Sequence, residues 1–241
     1  MGIYRTRCRW RYIIGLFLGI GALSSAASGA SYSTSFHNTE TPLSDRGHWI
    51  EGKATGVDWA NVGTTPGLAF GTQTGVEAWG PTGYNDSTAV LSGAWGANQT
   101  ASATVHIRKQ TDAAGVFEEV ELRLRTTITA HSITGYEINF SCSANPANFY
   151  AQIVRWNGPL GSFTYLNSIK CHIHDGDIVS ATASGNTISV TVNGAPIMSA
   201  VDKVFSGGSP GIGFYVRGAT GADANFGFSK FAASDGQTSK P

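Results

Sequence analysis

Charge, sulfur and long apolar runs are all scarce in this chain. Only 13% of its 241 residues are charged, too few for helices laced with ion pairs. No basic run follows residue 11, which argues against nucleic acid and anionic membranes as partners. The three cysteines show no CxxC spacing, so Cys142 and Cys171, even with the flanking His172 and His174, supply only half of a zinc site. No HExxH or phosphate loop occurs, and either motif would have named a chemistry. No amphipathic helical pattern is found after residue 30.

The N-terminus carries a different signal. Arg5, Arg7, Arg9 and Arg11 precede an apolar run from Ile13 to Leu23, and small residues fill Ser24 to Ala30. That order of basic, apolar and small segments is a secretory signal. A run of 11 residues is too short for a bilayer span, which needs about 20. Residues 1–30 are therefore expected to be cleaved, and the product to be extracellular or periplasmic. The four N-terminal arginines leave with the signal, so twelve basic residues face sixteen acidic ones, a net charge of −4. In an oxidising compartment the remaining pair, Cys142 and Cys171, is expected to form a disulfide.

What the chain does have is glycine, 31 of them, and β-branched alternation. Phe117 to Ile128 is the clearest strand, with Val120, Leu122, Leu124 and Ile128 on one face. Glu119, Glu121, Arg123, Arg125 and Thr127 fall on the other. A period of two marks a strand with one buried face. Ser102–Lys109, Tyr136–Ser143, Phe149–Trp156, Ser162–His174, Asp177–Ser184, Thr187–Val192, Gly211–Val216 and Asn225–Phe231 follow the same rule. Ser184-Gly185-Asn186 and Asn193-Gly194 are hairpin turns. Strands this closely spaced, without helices between them, specify an all-β antiparallel sandwich over residues 31–235, with a polar tail at 236–241.

The C-terminal third resembles the concanavalin A-like lectin/glucanase superfamily, in its laminin-G-like form. The residues that carry the likeness are Val192-Asn193-Gly194, Asp202, Gly207-Gly208, Pro210 to Phe214 and Phe226 to Phe231. Asp86 to Gln99 and Glu118 to Arg125 fit the same order, so the likeness spans most of residues 45–235. It implies a two-sheet antiparallel jelly-roll, one sheet convex and one concave, with ligands on the concave sheet or its edge loops. The fold hosts lectins, glycosidases, lyases and adhesion modules, so it does not fix the function.

The alternation also nominates a ligand face. Arg108, Glu119, Glu121, Arg123, Arg125, Glu137, Asn139, Gln152, Trp156, Tyr215 and Arg217 are the candidate residues, with His106 beside Arg108. The plain reading is a solvated face whose charges pair across strands. The functional reading is a polar groove for a glycan, in which carboxylates and guanidinium groups pair with hydroxyls and aromatic rings stack on sugar faces. Trp79, Tyr84, Trp95 and Trp156 are candidate stacking platforms. Glu119 and Glu121 stand side by side, as a retaining glycosidase pair would, but do not flank a bond. The superfamily's Glu-x-Asp-x-(x)-Glu strand is absent. Jelly-roll alginate lyases place Arg/Glu, Gln-Ile-His and Tyr-rich strands in an order met here by Glu121 and Arg123, Gln152-Ile153-Val154 and Phe214-Tyr215, with Val154 in the histidine's place. The favoured expectation is thus a secreted, non-catalytic carbohydrate-binding module. An enzyme and a cell-surface adhesion protein are the competitors. No cofactor is called for by any motif; Asp86, Asp175, Asp177, Asp202 and Asp223 lie in loops where calcium would find oxygen ligands.

Overall fold

A computed structural model describes residues 29–56, 58–76 and 83–236. The expected signal peptide, apart from its last two residues, and Trp79 lie outside the described residues. Fifteen strands follow in chain order: β1 (Ser31–Thr34), β2 (Trp49–Glu51), β3 (Val62–Thr65), β4 (Leu68–Gly71), β5 (Ser87–Leu91), β6 (Gln99–Ile107), β7 (Phe117–Thr129), β8 (Ser132–Ser141), β9 (Ala151–Gly158), β10 (Phe163–Ile169), β11 (Ile178–Ser184), β12 (Thr187–Val192), β13 (Ala195–Val201), β14 (Ser209–Arg217) and β15 (Phe226–Ser234). Among the described residues no helix is long and apolar enough to cross a membrane.

The strands form two antiparallel sheets. One runs β13-β12-β11-β6-β15-β4-β3, with β1 also paired to β15; the other runs β10-β9-β8-β7-β14-β5-β2. Alternation in the sequence decides which side chains meet between them. Val120, Leu122, Leu124, Ile138, Phe140 and Ile153 of the seven-stranded sheet join Val105, Ala181, Val190, Phe228 and Phe231 of the other in one core. Truncating one of the Leu, Ile or Phe side chains among them to Ala would cost about 2–5 kcal/mol.

A second, smaller apolar cluster sits on the opposite face of the seven-stranded sheet. Trp59, Ile133 and Trp156 are its centre, with Tyr84, Ile128 and Phe163 packed around them. Ile128 is there because the alternation of β7 breaks. Pairing with β8 shifts between Leu124 and Thr127, and Arg125 takes a left-handed backbone with φ of 50°. This β-bulge moves every later side chain to the other face. Ile128 therefore does not share the inner face of Val120, as the sequence pattern implied.

The bulge also removes Arg125 from the polar face. Its guanidinium donates to the carbonyls of Ala97 at 2.7 Å, Phe205 at 3.0 Å and Gly185 at 2.7 Å. It ties three loops together and is not placed to meet a ligand. The expected disulfide is corrected as well: Cys142 and Cys171 are both free thiols. Cys142 is buried in the main core, while Cys171 packs only at its margin. Burial, with the Glu118 and Glu119 carboxyls, pushes the Cys142 thiol well up.

Candidate functional site

The outer face of the seven-stranded sheet is built from transverse rows of paired residues. Tyr215 lies opposite Glu119. Gly213, Glu121, Asn139, Gln152 and Ser168 make the next row across β14, β7, β8, β9 and β10. Gly211, Arg123, Glu137, Val154 and Tyr165 make the third. Glu119, Glu121, Arg123, Glu137, Asn139, Gln152, Trp156 and Tyr215 thus share one face, as the alternation of their strands dictates. Arg217 follows Tyr215 on β14 and is buried against the rings of Tyr84 and Tyr215, at 5.1 and 5.5 Å. Arg108 is elsewhere: it is exposed just past β6 of the other sheet and donates to Asn225 at 3.0 Å.

This face is not solvated. Glu119, Glu121, Arg123, Glu137 and Asn139 are all buried, and charged side chains are seldom buried unless paired. Arg123 is their hub. Its Nη2 meets Glu121 Oε2 at 2.5 Å, Glu137 Oε2 at 3.0 Å and Asp86 Oδ2 at 3.4 Å. Burial opposes the charge on Arg123, yet the three carboxylates outweigh it and hold the guanidinium protonated. Burial raises the Glu121 and Asp86 carboxyls well above the usual range, and Glu137 raises both further. Glycines make room for this hub. A Cβ on Gly213 would overlap Glu121 Oε2 and press on Arg123 Nη2.

From the hub a polar chain crosses the sheet. Glu137 accepts from Trp156 Nε1 at 2.5 Å and from Asn139 Nδ2 at 3.2 Å. Asn139 Nδ2 also reaches Gln152 Oε1 at 3.3 Å, and Gln152 donates to Ser168 at 3.4 Å. Glu119 sits at one side and accepts from the Tyr150 hydroxyl. Burial, with Glu137 adding to it, pushes Glu119 up to about 8 despite the Tyr150 bond and the Arg217 charge.

Above this floor opens a cleft of two lobes. The narrow lobe, about 40 Å³, is lined by Asp86, Glu119, Glu137, Asn139, Trp156 and Phe163, among others. The wider one, about 150 Å³, is bounded by Phe117, Tyr150 and Arg217. Tyr84, Glu119, Gln152, Tyr165 and Tyr215 line both. Tyr165 is 54% exposed and forms the rim. Trp156, named as a platform, is instead part of the floor. Its ring lies edge-on to Trp59 at 5.7 Å and Phe163 at 5.3 Å, with the Arg123 guanidinium 6.0 Å away. Trp95 is outside the cleft and donates to the Ser92 carbonyl.

The sequence reading missed Tyr165, Tyr150 and Phe163, and weighed Asp86 only as a metal ligand. Of the platform candidates, Tyr84 lines the cleft. Among the described residues, Asp175, Asp177, Asp202 and Asp223 fall in no group of side chains close enough to share a cation. Asp175 accepts from Ile107 N, Asp177 from His174 N, and Asp202 from the Tyr136 hydroxyl and Val204 N, so each anchors a turn. Among the described residues, Asp86, Glu121 and Glu137 are close enough to share a cation, and Arg123 already takes that role.

No family model matches the chain, and no curated protein sequence matches it. Solved structures do. The carbohydrate recognition domain of Emp46p, in its metal-free form, superposes with a TM-score of 0.54 at 11% identity, over 86% of this chain and 97% of that one. The carbohydrate-binding module CBM66 from Bacillus subtilis gives 0.51 at 15% identity, over 78% and 92%. The CBM2 module of the evolved Dit protein of Lactobacillus casei BL23 phage J-1 gives 0.50 at 13%, over 86% and 97%. The likeness is one of fold. The chain is a two-sheet jelly-roll sandwich of the kind these domains share.

Proposed function

We propose that the cleft on the seven-stranded sheet binds a glycan, and that the protein is an exported carbohydrate-binding module that performs no bond cleavage. What carries the reading is the pairing of an aromatic rim, Tyr84 and Tyr165, with a hydrogen-bonding floor of Glu119, Asn139, Gln152 and Tyr215. Sugar rings have apolar faces that stack on aromatics and hydroxyls that bond to amides and carboxyls. The fold shared with carbohydrate-recognition domains supports it. The basic, apolar and small N-terminal segments support export.

Absence of cleavage rests on the cleft's chemistry. Val154 stands where a lyase of this fold has its histidine, and Glu121 and Arg123 are locked to each other below the floor. The enzymatic alternative centres on Glu119, whose raised pKa suits a general acid.

One experiment separates these readings. The purified mature protein is run through gels containing a panel of polysaccharides, and the same polysaccharides are assayed for new reducing ends and unsaturated products. Retardation without products is expected. Products that vanish in Glu119→Gln would replace binding with catalysis. No retardation by any glycan would leave the adhesion reading.

A further inference from the structure

Among the described residues, two polar atoms at the base of the cleft have no hydrogen-bond partner. They are the Tyr215 hydroxyl and Asn139 Oδ1, on residues only 5% and 4% exposed. The amide orientation of Asn139 is fixed, because its Nδ2 faces Glu137 Oε1 and Gln152 Oε1. The unpaired atom is therefore an acceptor. The Tyr215 phenol is kept protonated by burial and by the Asp86 carboxyl, so it is a donor. Buried groups left unpaired in this way cost stability unless a ligand completes them.

The lobes differ in what they admit. The narrow one, at about 40 Å³, has room for about three water molecules. That suits a hydroxymethyl or acetamido arm, not a ring. The wider lobe beneath Tyr84 and Tyr165 would take the ring itself. Carboxyls crowd the narrow lobe: Asp86, Glu119 and Glu137 line it, with Glu121 beneath. The cations near them are Arg123, whose Nη2 is shared among three carboxylates, and Arg217, which lines the wider lobe with its guanidinium taken up by the rings of Tyr84 and Tyr215.

We infer that the sugar unit this cleft takes is a neutral one, with its exocyclic hydroxyl or acetamido arm in the narrow lobe, and that acid sugars are excluded. The inference rests on the glycan-binding reading above. A hydroxyl can accept from Tyr215 and donate to Asn139 Oδ1, and an acetamido group offers the same pair. A uronate carboxylate only accepts. It would meet Asn139 acceptor to acceptor and would add a charge beside Glu137, which already pairs with Arg123. Burial keeps Glu119 protonated at neutral pH, which makes it a further donor to a neutral oxygen. Like charges brought together at a desolvated site weaken binding by at least about 100-fold.

Gel retardation at pH 7 with neutral glucans, galactans, mannans and chitin oligosaccharides, against alginate, polygalacturonate and hyaluronan, tests this. Retardation by at least one neutral glycan and by none of the acid ones is expected. Tyr215→Phe should weaken the retained glycan roughly tenfold, the value of one hydrogen bond. Tyr165→Ala, on an exposed rim where folding is not at stake, should weaken it too. Retardation by an acid glycan as strong as by any neutral one overturns the neutral-sugar inference and leaves glycan binding standing. A neutral glycan bound equally by Tyr215→Phe also overturns it. No retardation by anything overturns both.

Discussion

Replacing Arg123 with methionine keeps most of the side chain's volume and removes its charge. Arg123 is fully buried, and its Nη2 lies 2.5, 3.0 and 3.4 Å from three buried carboxylates. Removing one partner of a buried ion pair costs about 3–5 kcal/mol, because the other is left uncompensated. Here three are left. The deficit should depend on pH. Burial and mutual repulsion already raise the Asp86 and Glu121 carboxyls, with Arg123 holding them down. Without it they bind protons more tightly in the folded protein than in the unfolded chain. A carboxyl with a raised folded pKa contributes stability at low pH that is lost as pH rises. Urea unfolding followed by tryptophan fluorescence should therefore show a loss of about 3–5 kcal/mol at pH 8, or roughly 6–20 °C in melting temperature. The loss at pH 5 should be smaller. A variant within about 1 kcal/mol of the parent at pH 8 would refute the hub, as would a deficit that ignores pH.

Three further outcomes follow from the same packing. Gly213→Ala places a methyl group against the Glu121–Arg123 pair and should destabilise by about 1–3 kcal/mol in a melting assay. Arg125→Met removes three hydrogen bonds to loop carbonyls and should cost at least about 3 kcal/mol, while glycan retardation of the folded fraction stays unchanged. Glu51 is buried, with its pKa pushed up to about 9 by desolvation. Its folded pKa exceeds its unfolded one, so stability should fall by about 1.4 kcal/mol per pH unit as pH rises from about 4.5 to 9. Glu51→Gln should flatten that slope in a pH series of melts, and a slope unchanged by the substitution would contradict the assignment.

Much of the face that carries the cleft was legible from period-two alternation. Glu119, Glu121 and Arg123 on β7, Glu137 and Asn139 on β8, Gln152 on β9 and Tyr215 on β14 needed only that rule and antiparallel pairing. Arg125 escaped it because the only sign of the break is Thr126, polar where the alternation calls for an apolar residue, and Ile128 then resumes the parity of Val120, Leu122 and Leu124. Arg108 follows directly on β6, a strand of the opposite sheet, and only the topology tells the sheets apart. Asp86 and Tyr84 reach the face on a segment that enters from outside it. The burial of the charges was hidden as well. Four charged positions on one strand read as a solvated face, yet Glu119, Glu121 and Arg123 are buried, with Asp86 and Glu137 brought from outside that strand to pair with Arg123.

The most direct measurement is the change in affinity for a retained glycan when the rim of the cleft is cut back. Isothermal titration of the parent protein, Tyr165→Ala and Arg108→Ala with the best neutral oligosaccharide provides it. A loss of at least about tenfold in Tyr165→Ala, with Arg108→Ala indistinguishable from the parent, is the expected result. Full affinity in Tyr165→Ala with loss in Arg108→Ala would place binding on the other sheet and contradict the account.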